Sequence, residues 1–179
     1  IRNHQNLGIL KTRMRALEEV DTEWFCFVDA DDDVNRTYYP RLRAIGDQNH
    51  SDCVISGASI VDEVGDFKGL KAAFFWNQSY FSLDILSAYS SKKIGPNVVW
   101  NKIYRRSVWN APEIDLISKI NSNEDVLFNL FFLREAKKIT TTPGLGYFYK
   151  QHDISFTSQS MLEKLPSILE SYRCMIVIL

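Results

Sequence analysis

The chain has 179 residues, 45% of them hydrophobic and 24% charged, with a formal net charge of −1. That length supports one domain with a sizeable core, and the near-neutral balance excludes a global attraction to nucleic acid or anionic lipid. No apolar run is long enough to span a membrane, no signal peptide is visible, and the closing Met175-Ile176-Val177-Ile178-Leu179 is too short to cross anything.

Asn6-Leu7-Gly8 reads as a turn. Ile9, Met14, Leu17 and Val20 then recur near helical spacing and predict a helix over 9–20, broken at Asp21-Thr22-Glu23. Trp24 to Val28 is an apolar, aromatic-rich run and predicts a strand over 24–29 that is buried on both faces. It leads directly into Asp29, Asp31, Asp32 and Asp33. Residues 35–45 read as a second helix with Tyr38, Tyr39, Leu42 and Ile45 inward and Gly46 as its terminator. Cys53–Val61 is a strand, 62–71 a hairpin or surface loop, Phe74-Phe75-Trp76 a short strand and 80–89 a helix.

Val98 to Trp109 mixes aromatic and basic residues. Two readings stay open there: a surface that stacks on a sugar or base and pairs with phosphate, or an amphipathic edge with snorkelling basic side chains. Ser122-x-x-Asp125 has the form of a capping box. It would open a buried, almost wholly apolar helix over 126–133, with Lys137-Lys138 near its end. Residues 139–142 and 145–149 read as two short strands split by Pro143-Gly144, and 160 onward as helix. Cys26, Cys53 and Cys174 are widely spaced and predict free thiols in a reducing compartment.

The acidic cluster is the chemical signal. Four carboxylates over five positions repel one another, and a divalent cation is the simplest way to make them favourable. The plain structural reading is an acidic strand-to-helix turn with Asp33 or Asn35 as a cap, but one cap needs only one carboxylate. A calcium loop of the EF-hand type fails, because Val34 stands where Gly is required and Pro40 where the bidentate Glu belongs. A phosphatase of the haloacid-dehalogenase type fits weakly, since Asp33 replaces the Thr or Val of D-x-D-x-[TV]. The third chemistry is a D-x-D turn that holds a cation against the diphosphate of a nucleotide-sugar, so that the nucleotide can leave.

Six stretches in order resemble glycosyltransferase family 2, the inverting group with a GT-A fold. Asn6-x-Gly8 with Arg13 is similar to N-x-G-x-x-x-A-R-N, and Phe27-Val28-Asp29-Ala30-Asp31-Asp32 to F-[LV]-D-x-D-D. Asp52-Cys53-Val54 with Gly57 resembles the family's next strand. Trp100-Asn101-Lys102-Ile103-Tyr104-Arg105-Arg106 resembles W-N-K-[LI]-[YF]-R-R, and Glu124-Asp125-Val126-Leu127-Phe128 resembles E-D-x-x-F. Tyr147-x-Tyr149-Lys150-x-His152-x-x-Ser155-x-Thr157 resembles Y-x-Y-R-x-H-x-x-S-x-[ST]. The chain departs at Thr12, Met14, Thr22 and Lys150, the last keeping charge but losing the bidentate fork of Arg. The family's first strand and D-D-x-S segment do not occur and are expected upstream of Ile1.

The resemblance implies an α/β fold of GT-A type, a Rossmann-like sheet flanked by helices. It implies one catalytic domain over 1–179, with a helical tail from about 158. It implies transfer from a nucleotide-diphosphate sugar, with a UDP-sugar expected, to a saccharide or glycoconjugate hydroxyl in cell-surface polysaccharide synthesis. Asp125 is the expected base, with Glu124 as fallback. Asp29, Asp31 and His152 are the expected ligands of Mn2+ or Mg2+. Arg13, Asp29, Asp32, Trp100, Lys102 and Lys150 are the expected donor contacts. No nucleic-acid partner is expected, and the expected location is cytoplasmic, with peripheral association at the inner membrane face left open. The rival readings are a metal-dependent phosphatase and an inactive carbohydrate-binding or scaffold fragment.

Overall fold

The computed structural model describes residues 2–111, 123–151, 166 and 168–173. A seven-stranded mixed sheet carries the fold, with β1 (Trp24–Cys26), β2 (Asp33–Val34), β3 (Cys53–Val61), β4 (Phe67–Ala72), β5 (Gln78–Phe81), β6 (Lys102–Arg105) and β7 (Lys138–Lys150). The helices are α1 (Ile9–Glu18), α2 (Tyr38–Asn49), α3 (Leu83–Ser90) and α4 (Glu124–Leu133), with a 3-10 turn at Arg106–Val108. The strand order is β1-β6-β3-β7-β2; β4 adds to β3 and β5 to β7. Among the described residues only β3 and β7 run parallel; the other pairings are antiparallel.

The central strand β3 alternates, as the pleat requires. Cys53 and Ile55 face a core built with Leu10, Met14 and Leu17 of α1, Ile85 of α3, and Leu127, Phe128 and Phe131 of α4. Val54 and Ala58 face the opposite core, where Tyr38 and Leu42 of α2 meet Trp24, Trp100, Ile103 and Tyr147. The sheet is thus covered on both faces, which is why β3 reads as a continuous apolar run.

Several local expectations are corrected by packing. The apolar run at 24–28 forms a three-residue strand at the sheet edge, paired only with β6, and Val28 is exposed. Its open edge borders a groove of about 760 Å³ lined by Thr22, Trp24, Cys26, Tyr39, Arg43 and Asp47. Gly46 lies inside α2 and does not end it; His50, at φ 51°, is the left-handed cap. A Cβ at Gly46 would stand 2.6 Å from Trp24 Cη2, so the glycine serves close helix–sheet approach. Phe75 and Trp76 sit exposed in the loop before β5, and Tyr80 belongs to that strand and not to a helix. Lys138 opens β7 and does not close α4.

Pro143-Gly144 does not split two strands. The register steps from Ser56–Thr142 to Gly57–Leu145, so β7 passes the missing proline N–H in a bulge and continues. The capping-box residue Ser122, Cys174 and most of the expected C-terminal helix lie outside the described residues. Cys26 and Cys53 are free thiols, and burial pushes them up to about 11 and about 12.

Candidate active site

Two elements far apart in sequence bring their carboxylates together. β1 ends at Cys26 and delivers Asp29 to a turn closed by Asp32 N–H donating to the Asp29 carbonyl at 3.2 Å. α4 begins at Glu124, so Glu124 and Asp125 occupy its first turn, where the helix dipole favours negative charge. Asn123, at φ 60°, precedes it, and its side-chain amide donates to Ser171 Oγ at 3.0 Å.

Arg13 of α1 joins the two acids. Its Nη1 donates to Asp125 Oδ1 in a short contact, and its Nη2 lies 3.5 Å from Asp29 Oδ1. The guanidinium also lies over the Phe27 ring, 5.3 Å from its centroid. The second oxygen of Asp125 accepts the Val99 N–H at 3.3 Å. Burial raises the Asp29 pKa, Arg13 opposes the rise, and Asp125, Asp32 and Asp31 add to it. Burial also raises Glu124, with Asp125 adding to the rise.

The acidic turn is pinned to β7. Tyr147 Oη donates to Asp32 Oδ2 at 2.7 Å and accepts the Asp29 N–H at 3.2 Å. The Lys150 N–H donates to Asp32 Oδ1 at 2.9 Å, and Lys150 Nζ pairs with Asp33 Oδ2 at 2.8 Å. Asp31 is exposed at the tip of the turn.

These contacts redistribute the expected donor set. Asp32 has both oxygens engaged in anchoring the turn, and the Lys150 ammonium is paired with Asp33, a contact a donor role would have to open. Trp100 is not the wall of a sugar site: it is 2% exposed and stacks on Tyr147 at 4.3 Å and on Tyr149 at 5.7 Å. Lys102 cannot touch a diphosphate, because its side chain is fully buried and its ammonium faces the carbonyls of Pro96 and Val98 and the amide oxygen of Asn101. Arg105 pairs with Glu23 and covers the Trp24 ring at 4.2 Å. The aromatic and basic run from Val98 to Trp109 is therefore chiefly structural. His152 lies outside the described residues.

Among the described residues, no group of three or more His, Cys, Asp or Glu side chains converges to hold a metal. Mg2+-type sites use one or two carboxylates and take their other ligands from water and substrate phosphate. Asp29 and Asp31 would supply two such groups; burial chiefly raises the Asp29 pKa, with Asp125, Asp32 and Asp31 adding to the rise, and a bound cation would offset both.

Sequence reasoning missed Asn129 and Tyr147 as parts of the site. Asn129 is the one polar residue within the apolar run 126–133, and that exception was the available signal. Its amide is fully buried and touches the Asp125 carbonyl at 2.8 Å. Tyr147 opens the Y-x-Y stretch that resembles the family motif, and that place was its signal.

The mixed sheet is covered on both faces, with acids gathered where an edge strand ends, and makes an α/β fold. The profile of glycosyl transferase family 2 matches residues 1–110, and the chain belongs to that family. The chain is 26% identical over 160 residues to the uncharacterized glycosyltransferase EpsJ of Bacillus subtilis, covering 86% of this chain and 45% of that protein. It is 25% identical over 139 residues to the poly(ribitol-phosphate) beta-N-acetylglucosaminyltransferase TarS of Staphylococcus aureus, covering 78% of this chain and 23% of that protein. The crystal structure of S. aureus TarS residues 1–349 with UDP-GlcNAc superposes with a TM-score of 0.67 at 21% identity, covering 96% of this chain and 46% of that one. The complex of the same protein with UDP gives 0.66 at 20% identity, over 99% of this chain and 46% of that one. The chain thus spans less than half the length of the relatives it matches. Family membership sets aside the phosphatase reading. No helix among the described residues is long and apolar enough to cross a membrane.

Proposed function

We propose that this chain forms the core of an enzyme that moves a sugar from a nucleotide-diphosphate donor, UDP-linked, to a hydroxyl of a saccharide or glycoconjugate, with inversion. The observation that carries this is the Arg13 bridge, which sets Asp125 of α4 beside Asp29 of the D-x-D turn. Family membership and the likeness to a fold seen with UDP-GlcNAc support the same reading.

In this mechanism the acceptor oxygen attacks the anomeric carbon in line. The bond from that carbon to the diphosphate breaks, and its electron pair leaves with the nucleotide. Asp125 takes the acceptor proton. Its two oxygens are already seated by Arg13 and Val99, and each retains lone-pair capacity for a proton. Asp29 and Asp31 would hold Mn2+ or Mg2+, which when bound stabilises charge on the leaving diphosphate.

Asp125→Asn in the complete enzyme tests the reading. Transfer should fall by about 10²–10⁴-fold while donor binding persists. Transfer near the parent rate would remove Asp125 as base. Asp31→Ala should weaken Mn2+-dependent binding of the UDP-sugar; unchanged metal dependence would remove the D-x-D assignment.

A further inference from the structure

We propose that Lys102 and Asn129, both too buried to meet a substrate, are positioning residues for Asp125, because together they fix the backbone turn whose Val99 N–H seats the second carboxylate oxygen. The inference rests on the assignment of Asp125 as proton acceptor.

The Lys102 ammonium has three N–H donors and no acceptor. Three acceptors meet it: Val98 O at 2.5 Å, Asn101 Oδ1 at 2.8 Å and Pro96 O at 3.1 Å. The side chain of Asn101 is itself tied to β3 by donating to Ser56 O at 2.8 Å. Lys102 therefore straps the turn to the sheet. A buried charge is expensive to desolvate and is retained where it fixes something. Here it fixes main chain at 96–98, one residue before the group that touches Asp125.

Asn129 straps the same turn to α4. Its Nδ2 lies 3.1 Å from Asn97 O, 3.3 Å from Val98 O and 2.8 Å from Asp125 O, one helical turn back. Its Oδ1 accepts from Tyr104 Oη at 3.0 Å, and that hydroxyl also lies 3.3 Å from Val99 O. Gly95, at φ 90°, lets the chain enter the turn. The outcome is a Val99 N–H held 3.3 Å from Asp125 Oδ2 while Arg13 holds Oδ1. With both oxygens fixed, the carboxylate plane cannot swing. Misorientation of a catalytic group is costly even when every reacting residue is present.

The strap also has a titration signature. Burial lowers the Lys102 pKa to about 8, with the Asp125 carboxylate opposing the fall. The Cys53 thiol, pushed up to about 12, stays neutral in that range, and burial holds the Tyr104 hydroxyl protonated. A neutral Lys102 keeps two N–H donors, so one of its three acceptors loses its partner above about pH 8.

The test is Lys102→Met, which keeps length and removes all three donors, in the complete enzyme. The expected result is a kcat at least tenfold lower with the UDP-sugar Kd within twofold of the parent. The fall in parent kcat above about pH 8 should vanish in the variant. A kcat within twofold of the parent, or a variant that keeps the alkaline fall, overturns the proposal. A mutation-free measurement covers a variant that does not fold. In NMR of the parent labelled at lysine and valine, the Val99 amide should shift together with the Lys102 titration, and a Val99 amide that does not follow it also overturns the proposal. Asp125→Asn separates the two levels: an inactive D125N beside a fully active K102M refutes only the strap, whereas an active D125N refutes the base.

Discussion

Tyr147→Phe isolates the anchor of the acidic turn. The parent hydroxyl donates to Asp32 Oδ2 at 2.7 Å and accepts the Asp29 N–H at 3.2 Å. Burial raises the Tyr147 pKa further above its ordinary value, so the hydroxyl remains a donor at neutral pH. Phenylalanine keeps the ring and its stacking on Trp100, so the change removes hydrogen bonds without opening a cavity. A hydrogen bond to a charged acceptor contributes about 1.5–3 kcal/mol. Asp32 retains the Lys150 N–H at 2.9 Å, which places the expected loss near the lower end, about 1.5–2 kcal/mol. For a chain of this size that is a drop of about 3–8 °C in Tm. The midpoint in urea should fall with the m-value unchanged. Loosening the turn should also weaken Mn2+-dependent donor binding about tenfold, as measured by titration calorimetry. A stability change under about 0.5 kcal/mol would show that the hydroxyl does not anchor the turn. A destabilised variant with parent donor affinity would show that the anchor and the donor site are uncoupled.

Asp29→Asn should stabilise the metal-free chain at neutral pH. The folded pKa of Asp29 is raised above its ordinary value of 3.8, chiefly by burial, so the fold favours the protonated form. That contribution is present below the unfolded value and is lost as pH rises through the folded one. Melting curves at pH 3 and pH 7 check the sign: a gain confined to pH 7 is expected, and a loss there would mean that the Arg13 pair outweighs burial. Added Mn2+ should raise the melting temperature of the parent with UDP-sugar and not that of the variant. Gly46→Ala should destabilise, although Gly to Ala in a helix ordinarily gains about 1 kcal/mol. The new Cβ would stand 2.6 Å from Trp24 Cη2 and 2.8 Å from Trp24 Cζ2, and overpacking of that kind costs about 1–3 kcal/mol. Urea denaturation decides it, with a net gain contradicting the packing argument.

The motif W-N-K shows where a pattern in the sequence and a role in the fold part company. Its three residues stand together in a run that looks made for a sugar phosphate. In the folded chain Trp100 fills a core against Tyr147, Asn101 bonds to Ser56, and Lys102 straps a turn. The pattern signals the family correctly, but burial, which residue order does not state, takes these side chains away from direct contact.

Residue order alone determined the α/β class, a helix expected over 9–20 and found over 9–18, the strand at 53–61 and the acids at the end of an apolar run. These follow from hydrophobic period and local chemistry, which act over a few positions. The Arg13 bridge between Asp29 and Asp125 spans 112 positions at its wider arm and exists only because α1 and α4 pack on one face of the sheet. The same holds for Gly46 inside α2 and for the bulge that carries β7 past Pro143. Close approach between distant segments decides such features, and local propensity carries no record of it.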